Sequence, residues 1–319
     1  MKKDRFPNIV GQDAAKRKLD FYIEGYEASK IIPHLMFVAP KGCGKTTLAK
    51  AVGLNLAPVK GGKHKTFIEL NCSTIKNVRQ FFNQIVIPHI HDKECTVLFD
   101  EASELPKDVT MMLLTCLNPN EHNRNQFSYE DYTVDFDFSR QSFMFATTEA
   151  QRIFHALMDR CERVDLEEYT LDELAKIVNR VLKKARFEGD VLKKIAAVLR
   201  GNARQAQKMA NNIAIYLKRM KKKNFTRNDW KTLKHHLGIL PLGLSRIELQ
   251  ILNVLSEKKE CSLTHLSAKT GLTKECVQRD FELHLQKNNL MEITTSGRAL
   301  TVVGQKYLKE IEKLNLHKS

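Results

Sequence analysis

Three short stretches of this 319-residue chain carry residue types at spacings that suit phosphate chemistry. The first is Ala39-Pro40-Lys41-Gly42-Cys43-Gly44-Lys45-Thr46, placed directly after the apolar run Leu35 to Val38 and before Thr47 and a helical stretch. A strand, a glycine-bearing loop and a helix start are what a phosphate cradle needs. Backbone N–H groups and the helix N-terminus face the phosphates, Lys45 reaches the β- and γ-phosphates, and the Thr46 hydroxyl holds Mg²⁺. Ala39 stands where a glycine is usual, a mild departure. The second stretch, Thr96-Val97-Leu98-Phe99-Asp100-Glu101, is an apolar strand ending in two carboxylates. Asp100 would orient Mg²⁺ through water and Glu101 would polarise the attacking water. Alone such a pair is a solvated loop; beside a phosphate cradle it favours hydrolysis over plain nucleotide binding or transfer to a hydroxyl. The third, Thr147-Thr148, ends the run Ser142 to Ala146, which in a nucleotide-binding parallel sheet places it at the same carboxyl edge.

The elements that must position these groups are legible as alternating patterns. Strands are expected at Leu35 to Val38, Phe67 to Leu70, Thr96 to Phe99 and Ser142 to Ala146, with amphipathic helices around Ala14 to Glu27, Thr46 to Asn55 and Ile75 to Ile85. Alternation of this kind predicts a parallel sheet with crossover helices. Between Asn123 and Arg140, Tyr129, Tyr132, Val134, Phe136 and Phe138 alternate with polar or acidic residues, the pattern of a two-stranded ribbon. From Asp165 the period becomes helical: Leu171, Leu174, Ile177, Val178, Val181 and Leu182, then Val191, Leu192, Ile195, Ala196 and Leu199, then Ala206, Met209, Ile213 and Leu217.

After a Gly- and Pro-punctuated junction from Gly238 to Gly243, three short helices are expected at Ser245 to Leu255, Leu263 to Lys269 and Thr273 to Lys287. Two β-leaning runs follow, Leu290 to Thr294 and Arg298 to Val302. Helices followed by a hairpin is the order of a winged helix-turn-helix, with Thr273 as N-cap of a third helix exposing Lys274, Gln278 and Arg279. The fold class expected is therefore α/β: a phosphate-loop core over residues 1–166, a small helical domain over 167–240 and a winged helix over 241–319.

Composition narrows the function classes. With 42% hydrophobic and 28% charged residues the chain reads as an ordinary globular protein, which argues against disorder, collagen or a disulfide scaffold. No apolar run approaches the roughly 18–20 residues of a membrane-spanning helix, and the basic N-terminus lacks the apolar stretch of a signal peptide. Seven scattered cysteines without a C-x-x-C pair point to a reduced cytoplasm rather than a zinc or disulfide framework. The net charge of +15 is concentrated: residues 171–240 hold 18 Lys and Arg against 5 Asp and Glu, among them Lys183, Lys184, Lys193, Lys194, Lys218 and the run Lys221 to Lys223. Such a field suits a polyanion, or acidic surface on another protomer.

Taken together these residues resemble the AAA+ ATPases, and their order resembles the RuvB family of Holliday-junction branch-migration motors across nearly the whole chain. The resemblance is carried by Ile9-Val10-Gly11-Gln12, Gly44-Lys45-Thr46-Thr47-Leu48-Ala49, Asp100-Glu101, Ala146-Thr147-Thr148 and Met158-Asp159-Arg160. Tyr169-Thr170, Gly201-Asn202-Ala203-Arg204, Pro241-Leu242-Gly243-Leu244 and Gly297-Arg298 complete it. It implies ATP and Mg²⁺ as ligands, Thr148 (or else Thr147) as sensor 1, Arg160 as an arginine finger acting in trans, Arg204 as the sensor 2 arginine, and Ile9, Val10 and Tyr169 as the adenine pocket. It implies a hexameric ring acting on duplex or junction DNA with a RuvA-like partner, in the cytoplasm and away from membranes.

Two features depart from the family. Glu130, Asp131, Asp135 and Asp137 make the hairpin acidic, which favours a protein partner or protomer packing there over DNA. The wing keeps Arg298 but has Ile293 and Ser296 where the family carries further arginines, so DNA contact falls to Arg298, Lys274 and Lys287. Against the motor stands a switch reading, an AAA+ initiator, helicase loader or clamp-loader subunit in which ATP controls loading. A regulator that uses its ATPase domain only to oligomerise is disfavoured by the full set Lys45, Glu101, Arg160 and Arg204.

Overall fold

A computed structural model describes residues 4–130 and 132–316 of the chain. Two compact units emerge, one holding Met1–Glu173 with Gly201–Arg204, the other Leu174–Arg200 with Gln205–Ser319. The strands of the first unit are β1 (Leu35–Val38), β2 (Thr66–Asn71), β3 (Cys95–Asp100), β4 (Arg124–Tyr129), β5 (Tyr132–Asp137), β6 (Gln141–Thr147) and β7 (Glu162–Asp165). Five of them form a parallel sheet in the order β2-β3-β6-β1-β7.

The central strands are near-continuous apolar runs because both faces of the sheet are covered. Successive side chains feed opposite layers: Met36, Val97, Phe99, Phe143 and Phe145 enter one core, while Leu35, Phe37, Leu98, Met144 and Ala146 enter the other. Helices α1 (Asp13–Ser29) and α2 (Lys45–Gly53) close the second core with Leu19, Ile23, Tyr26, Leu48, Ala49 and Val52. The first core is closed by α3 (Val78–Phe81), its continuation over Phe82–Ile90, and α4 (Lys107–Cys116). The helix expected to end at Ile85 runs on to Ile90 in wide turns. Pro88 supplies no N–H, and His91 N closes on Val86 O at 2.8 Å.

The ribbon between Asn123 and Arg140 is the antiparallel pair β4–β5, in register Tyr129↔Tyr132; Asp131, one of the acidic residues noted at this hairpin, lies outside the described residues. Its inward residues are spent on the first unit's own core. Val134, Phe136 and Phe138 are buried, and Phe127 and Tyr129 stack on Phe82 with ring centroids 5.4 and 4.7 Å away. Strand β7 escaped the sequence reading because only Val164 of its four residues is buried. The short helix α5 (His155–Met158) precedes it.

The second unit gathers α6 (Leu171–Val181) and α8 (Ala203–Arg219), each apart from its first residues, with α7 (Val191–Ala196), α9 (Arg227–His236) and the two-residue parallel strands β8 (Arg186–Phe187) and β9 (Asn224–Phe225). On α6 the buried stripe is Leu174, Ile177 and Val178. Leu171 and Val181, expected inside, face solvent. Helix α9 starts from a capping box in which Thr226 Oγ1 accepts from Asp229 N while Asp229 accepts from Thr226 N.

Beyond the tight turn Pro241–Gly243 come α10 (Arg246–Ser256), α11 (Leu263–Thr270), and α12 (Lys274–Cys276), which continues through the wide-turn segment Val277–Glu282 into α13 (Leu283–Lys287). The hairpin β10 (Met291–Ile293) and β11 (Arg298–Leu300) and the helix α14 (Val302–Leu316) complete the unit. Thr273 caps its helix as expected, accepting from Cys276 N at 3.2 Å. The run read as a strand to Val302 instead turns into α14 there, and Tyr307, Leu308 and Ile311 close the core over Ile251, Leu266 and Leu285. No single helix among the described residues is long and apolar enough to cross a membrane.

Candidate active site

The loop between β1 and α2 leaves the sheet at its carboxyl edge with Gly42 and Gly44 at φ +86° and +96°, where a side chain would strain the backbone. Gly42 is also held by contact: a Cβ there would fall 2.2 Å from Asn202 Oδ1. Lys45 begins α2, is 7% exposed and turns its ammonium back into the loop, donating to Ala39 O at 2.9 Å and Pro40 O at 3.3 Å. Burial lowers its pKa from the usual lysine value, the nearby charges of Glu101 and Asp100 oppose that, and the charge of Arg204 adds to it.

Thr46 Oγ1 donates to Asp100 Oδ2 at 2.9 Å, and Asp100 Oδ1 accepts from Glu101 N at 3.0 Å. Hydroxyl, carboxylate and lysine thus meet where β1 and β3 end. Glu101 sits at φ +55°, in the left-handed region, as the chain turns off the strand. On the neighbouring strand Ala146 is the register partner of Asp100 and Thr147 that of Val38. Thr147 is fully buried with its hydroxyl accepting from Glu149 N at 3.0 Å, whereas Thr148 is half-buried just past the strand. Thr148 is therefore the threonine of the two whose hydroxyl is not committed to the Glu149 turn.

Residues far along the chain cover the loop. Tyr169 OH donates to Cys43 O at 3.2 Å and Tyr169 N to Gly201 O at 3.0 Å, while Asn202 Nδ2 donates to Lys41 O at 2.9 Å and Arg204 N to Gly42 O at 3.4 Å. Burial raises the Tyr169 pKa, and a hydrogen bond from Gln12 works against it. Gln12 also brackets Glu167, donating to its O at 2.8 Å and accepting from its N at 3.1 Å, so the segment carrying half-buried Ile9 and Val10 is tied beside Tyr169. Thr47, next to Thr46 in the first turn of α2, is exposed. Asn202 and Gln12 gained no site role from sequence. Their signal was present in Gly201-Asn202-Ala203-Arg204 and Gly11-Gln12, but an amide facing a backbone loop has no spacing rule that would reveal it.

Arg160 is not brought to this chain's own loop. Its guanidinium sits on the C-terminal end of α4, donating to Leu114 O (3.1 Å), Asn118 Oδ1 (3.0 Å) and, in the preceding helix α5, Ala156 O (2.8 Å). Its neighbour Asp159 is engaged instead by His155 Nδ1 at 2.9 Å.

Two families match the sequence over these elements. Residues 35–169 match the ATPase family associated with various cellular activities (AAA), and residues 241–309 match the RuvB C-terminal winged helix domain. The chain is a divergent, RuvB-like AAA ATPase. Relatives named Holliday junction branch migration complex subunit RuvB include one from Campylobacter hominis, 24% identical over 95% of this chain and 89% of the relative. Another, from Mycoplasmopsis pulmonis, is 26% identical over 96% of each. Among solved structures, a variant of Thermotoga maritima RuvB superposes with a TM-score of 0.77 at 21% identity, over 97% of this chain and 99% of that one. The Thermotoga maritima RuvB Holliday junction branch migration motor gives 0.75 at 21%, over 94% and 95%.

In the winged helix of this RuvB-like chain, Lys274 and Lys287 are exposed at the two ends of the helical stretch 274–287. Arg298 differs from the expectation of a DNA-facing guanidinium. Only 14% of its side chain is exposed, and it donates to Glu282 through Nε at 2.8 Å and Nη2 at 3.3 Å. The cause is local: Arg298 pairs in register with Ile293 and bridges to Cys261, which turns it inward onto a buried carboxylate.

Proposed function

We propose that this ATPase assembles into a hexameric ring that couples ATP hydrolysis to the movement of duplex DNA, in the manner of branch migration. The observation that carries the reading is the meeting of Lys45, Thr46, Asp100 and Glu101 at one sheet edge, in a chain that also bears a RuvB-type winged helix. The loop fits a triphosphate: its glycines bring backbone N–H groups close, and its lysine is buried beside two carboxylates. Thr46 and Asp100 offer a hydroxyl and a carboxylate, the hard oxygen donors that Mg²⁺ takes, and the ion would neutralise phosphate charge there.

In this reading Lys45 exchanges its carbonyl partners for phosphate oxygens, Glu101 orients the attacking water, and Thr148 and Arg204 report the γ-phosphate. Tyr169, Ile9 and Val10 receive the base, with Gly42, Cys43, Gly44 and Thr47 lining the phosphate end. Arg160 serves a neighbouring protomer's site. The chain works as three parts, residues 1–166, 167–240 and 241–319, in the cytoplasm, with Lys274 and Lys287 on DNA and a RuvA-like partner at the acidic hairpin.

One observation favours the loader or switch reading instead. With Arg298 drawn onto Glu282, and Ile293 and Ser296 in the hairpin, the wing offers little cation to phosphate. Steady-state ATP hydrolysis with and without linear duplex and four-way-junction DNA, at two salt concentrations, separates the two. The motor predicts strong stimulation that weakens with salt; a slow rate indifferent to DNA supports the switch.

A further inference from the structure

The Gly- and Pro-marked segment at residues 240–244, which reads as a linker in sequence, is a fixed joint. Each carbonyl of its tight turn is engaged from a different element. Tyr307 OH donates to Pro241 O at 3.0 Å, His284 Nε2 lies 3.3 Å from Leu242 O, and Arg200 Nη2 donates to Gly243 O. The turn also closes on itself through Leu240 N to Leu244 O and Gly243 N to Leu240 O, each 3.0 Å. Gly243, at φ +74°, lies so near the backbone after α7 that a Cβ would fall 2.6 Å from Val198 O.

Arg200 then grips the start of the winged helix. It donates through Nη1 and Nη2 to Glu248 at 2.9 and 2.6 Å, and Glu248 is fully buried while completing the Ser245 capping box. A buried carboxylate with a two-pronged guanidinium partner is costly to break, because the carboxylate alone is left desolvated without its partner. The next four residues of the chain are Gly201 to Arg204, whose contacts are with Tyr169 and the phosphate loop. Two peptide bonds therefore separate Arg200, which holds the winged helix, from Asn202, which sits on Lys41.

We propose that Arg200 and Glu248 are positioning residues that carry the nucleotide state to the winged helix, by making it one body with α7 and α8 and by anchoring that body at the segment that touches the phosphate loop. The inference rests on the ATP-driven DNA reading for its benefit, though not for its geometry. A flexible linker would absorb a shift of residues 201–204; a welded joint passes it on.

The test uses the full chain and the variants Glu248→Gln, Arg200→Lys, which keeps a charge but loses the two-pronged geometry, and Gly243→Ala, which leaves the ion pair's residues intact. Three quantities are measured: ATP turnover with and without duplex DNA, DNA affinity by anisotropy, and hydrogen exchange of amides 241–248 with and without ATPγS and Mg²⁺. In variants that keep the parent's circular dichroism, basal turnover and DNA affinity stay within about twofold, while DNA stimulation falls about fivefold or more. The exchange response of 241–248 to ATPγS is lost. A parent without DNA stimulation whose exchange response is lost in the variants counts against the motor and for the relay. A parent with no exchange response, or folded variants that keep both response and stimulation, overturns the relay.

Discussion

Lys45 is held in its own loop, whose carbonyls bind the side-chain nitrogen while two carboxylates oppose the lowering of its pKa by burial. Replacing it by alanine removes the cation that phosphate would meet, so Lys45→Ala is expected to lose nucleotide binding in a fluorescent-nucleotide titration. Glu101→Gln keeps the shape of the strand end but not the base. On the proposed role of Glu101 the variant should bind ATP like the parent and turn over at least about a hundredfold more slowly; hydrolysis at the parent rate would mean that another group orients the water. Lys65 carries a pH prediction. It is 1% exposed, donates to Ser139 O and Ser142 Oγ, and burial lowers its pKa to about 8. Between that value and the unfolded value of about 10.5 the unfolded chain binds more protons, so this group adds stability as pH rises through the window and none below it. Urea denaturation of the parent and of Lys65→Met at pH 7.5 and 9.5 should show a difference in stability that shifts toward the parent by about 1–2 kcal/mol at the higher pH. A difference independent of pH would show that Lys65 does not titrate there.

At the scale of elements, the hairpin β4–β5 owes its place to Phe82. That ring is fully buried in the wide-turn helix and stacks on both Phe127 and Tyr129. Phe82→Ala should cost about 3–5 kcal/mol in chemical denaturation, as removal of a buried ring does; a loss under about 1 kcal/mol would mean that the hairpin is held by β6 and its turns alone. The elements that sequence revealed are those whose pattern and burial agree: β1, β3 and β6 as apolar runs, α1 and α8 as amphipathic stripes, the hairpin as an alternation. Those it hid are those where the two part company. Strand β7 is polar because it is an edge, and Leu171 and Val181 are apolar yet exposed. Helix α14 begins with Val302 and Val303, both exposed, so its first turn looks like strand. The site divided in the same way. Lys45, Thr46, Asp100 and Glu101 lie within their motifs in sequence, whereas the covering contacts of Gln12, Tyr169 and Asn202 span up to 161 residues and follow from no local pattern.

For the whole molecule the decisive residue is Arg160, whose three hydrogen bonds tie it to α4 and α5 rather than to the loop at Lys45. A guanidinium resting on carbonyls at a helix C-terminus is stabilised but not neutralised, since those partners carry only partial charge. In the proposed ring that guanidinium would face a neighbour's γ-phosphate, where a finger acts on the transition state and leaves ground-state binding alone. Arg160→Ala is accordingly expected to bind ATP with the parent's affinity and to turn over at least about a thousandfold more slowly. Lys45→Ala, in contrast, has an intact finger and no working site. Mixed together, the two inactive variants should form rings in which some intact sites face intact fingers, so that ATP hydrolysis returns in part and depends on the mixing ratio. If the mixture is as inactive as its components, while each variant still assembles by sedimentation, Arg160 does not act across a protomer boundary and the ring loses its role in hydrolysis.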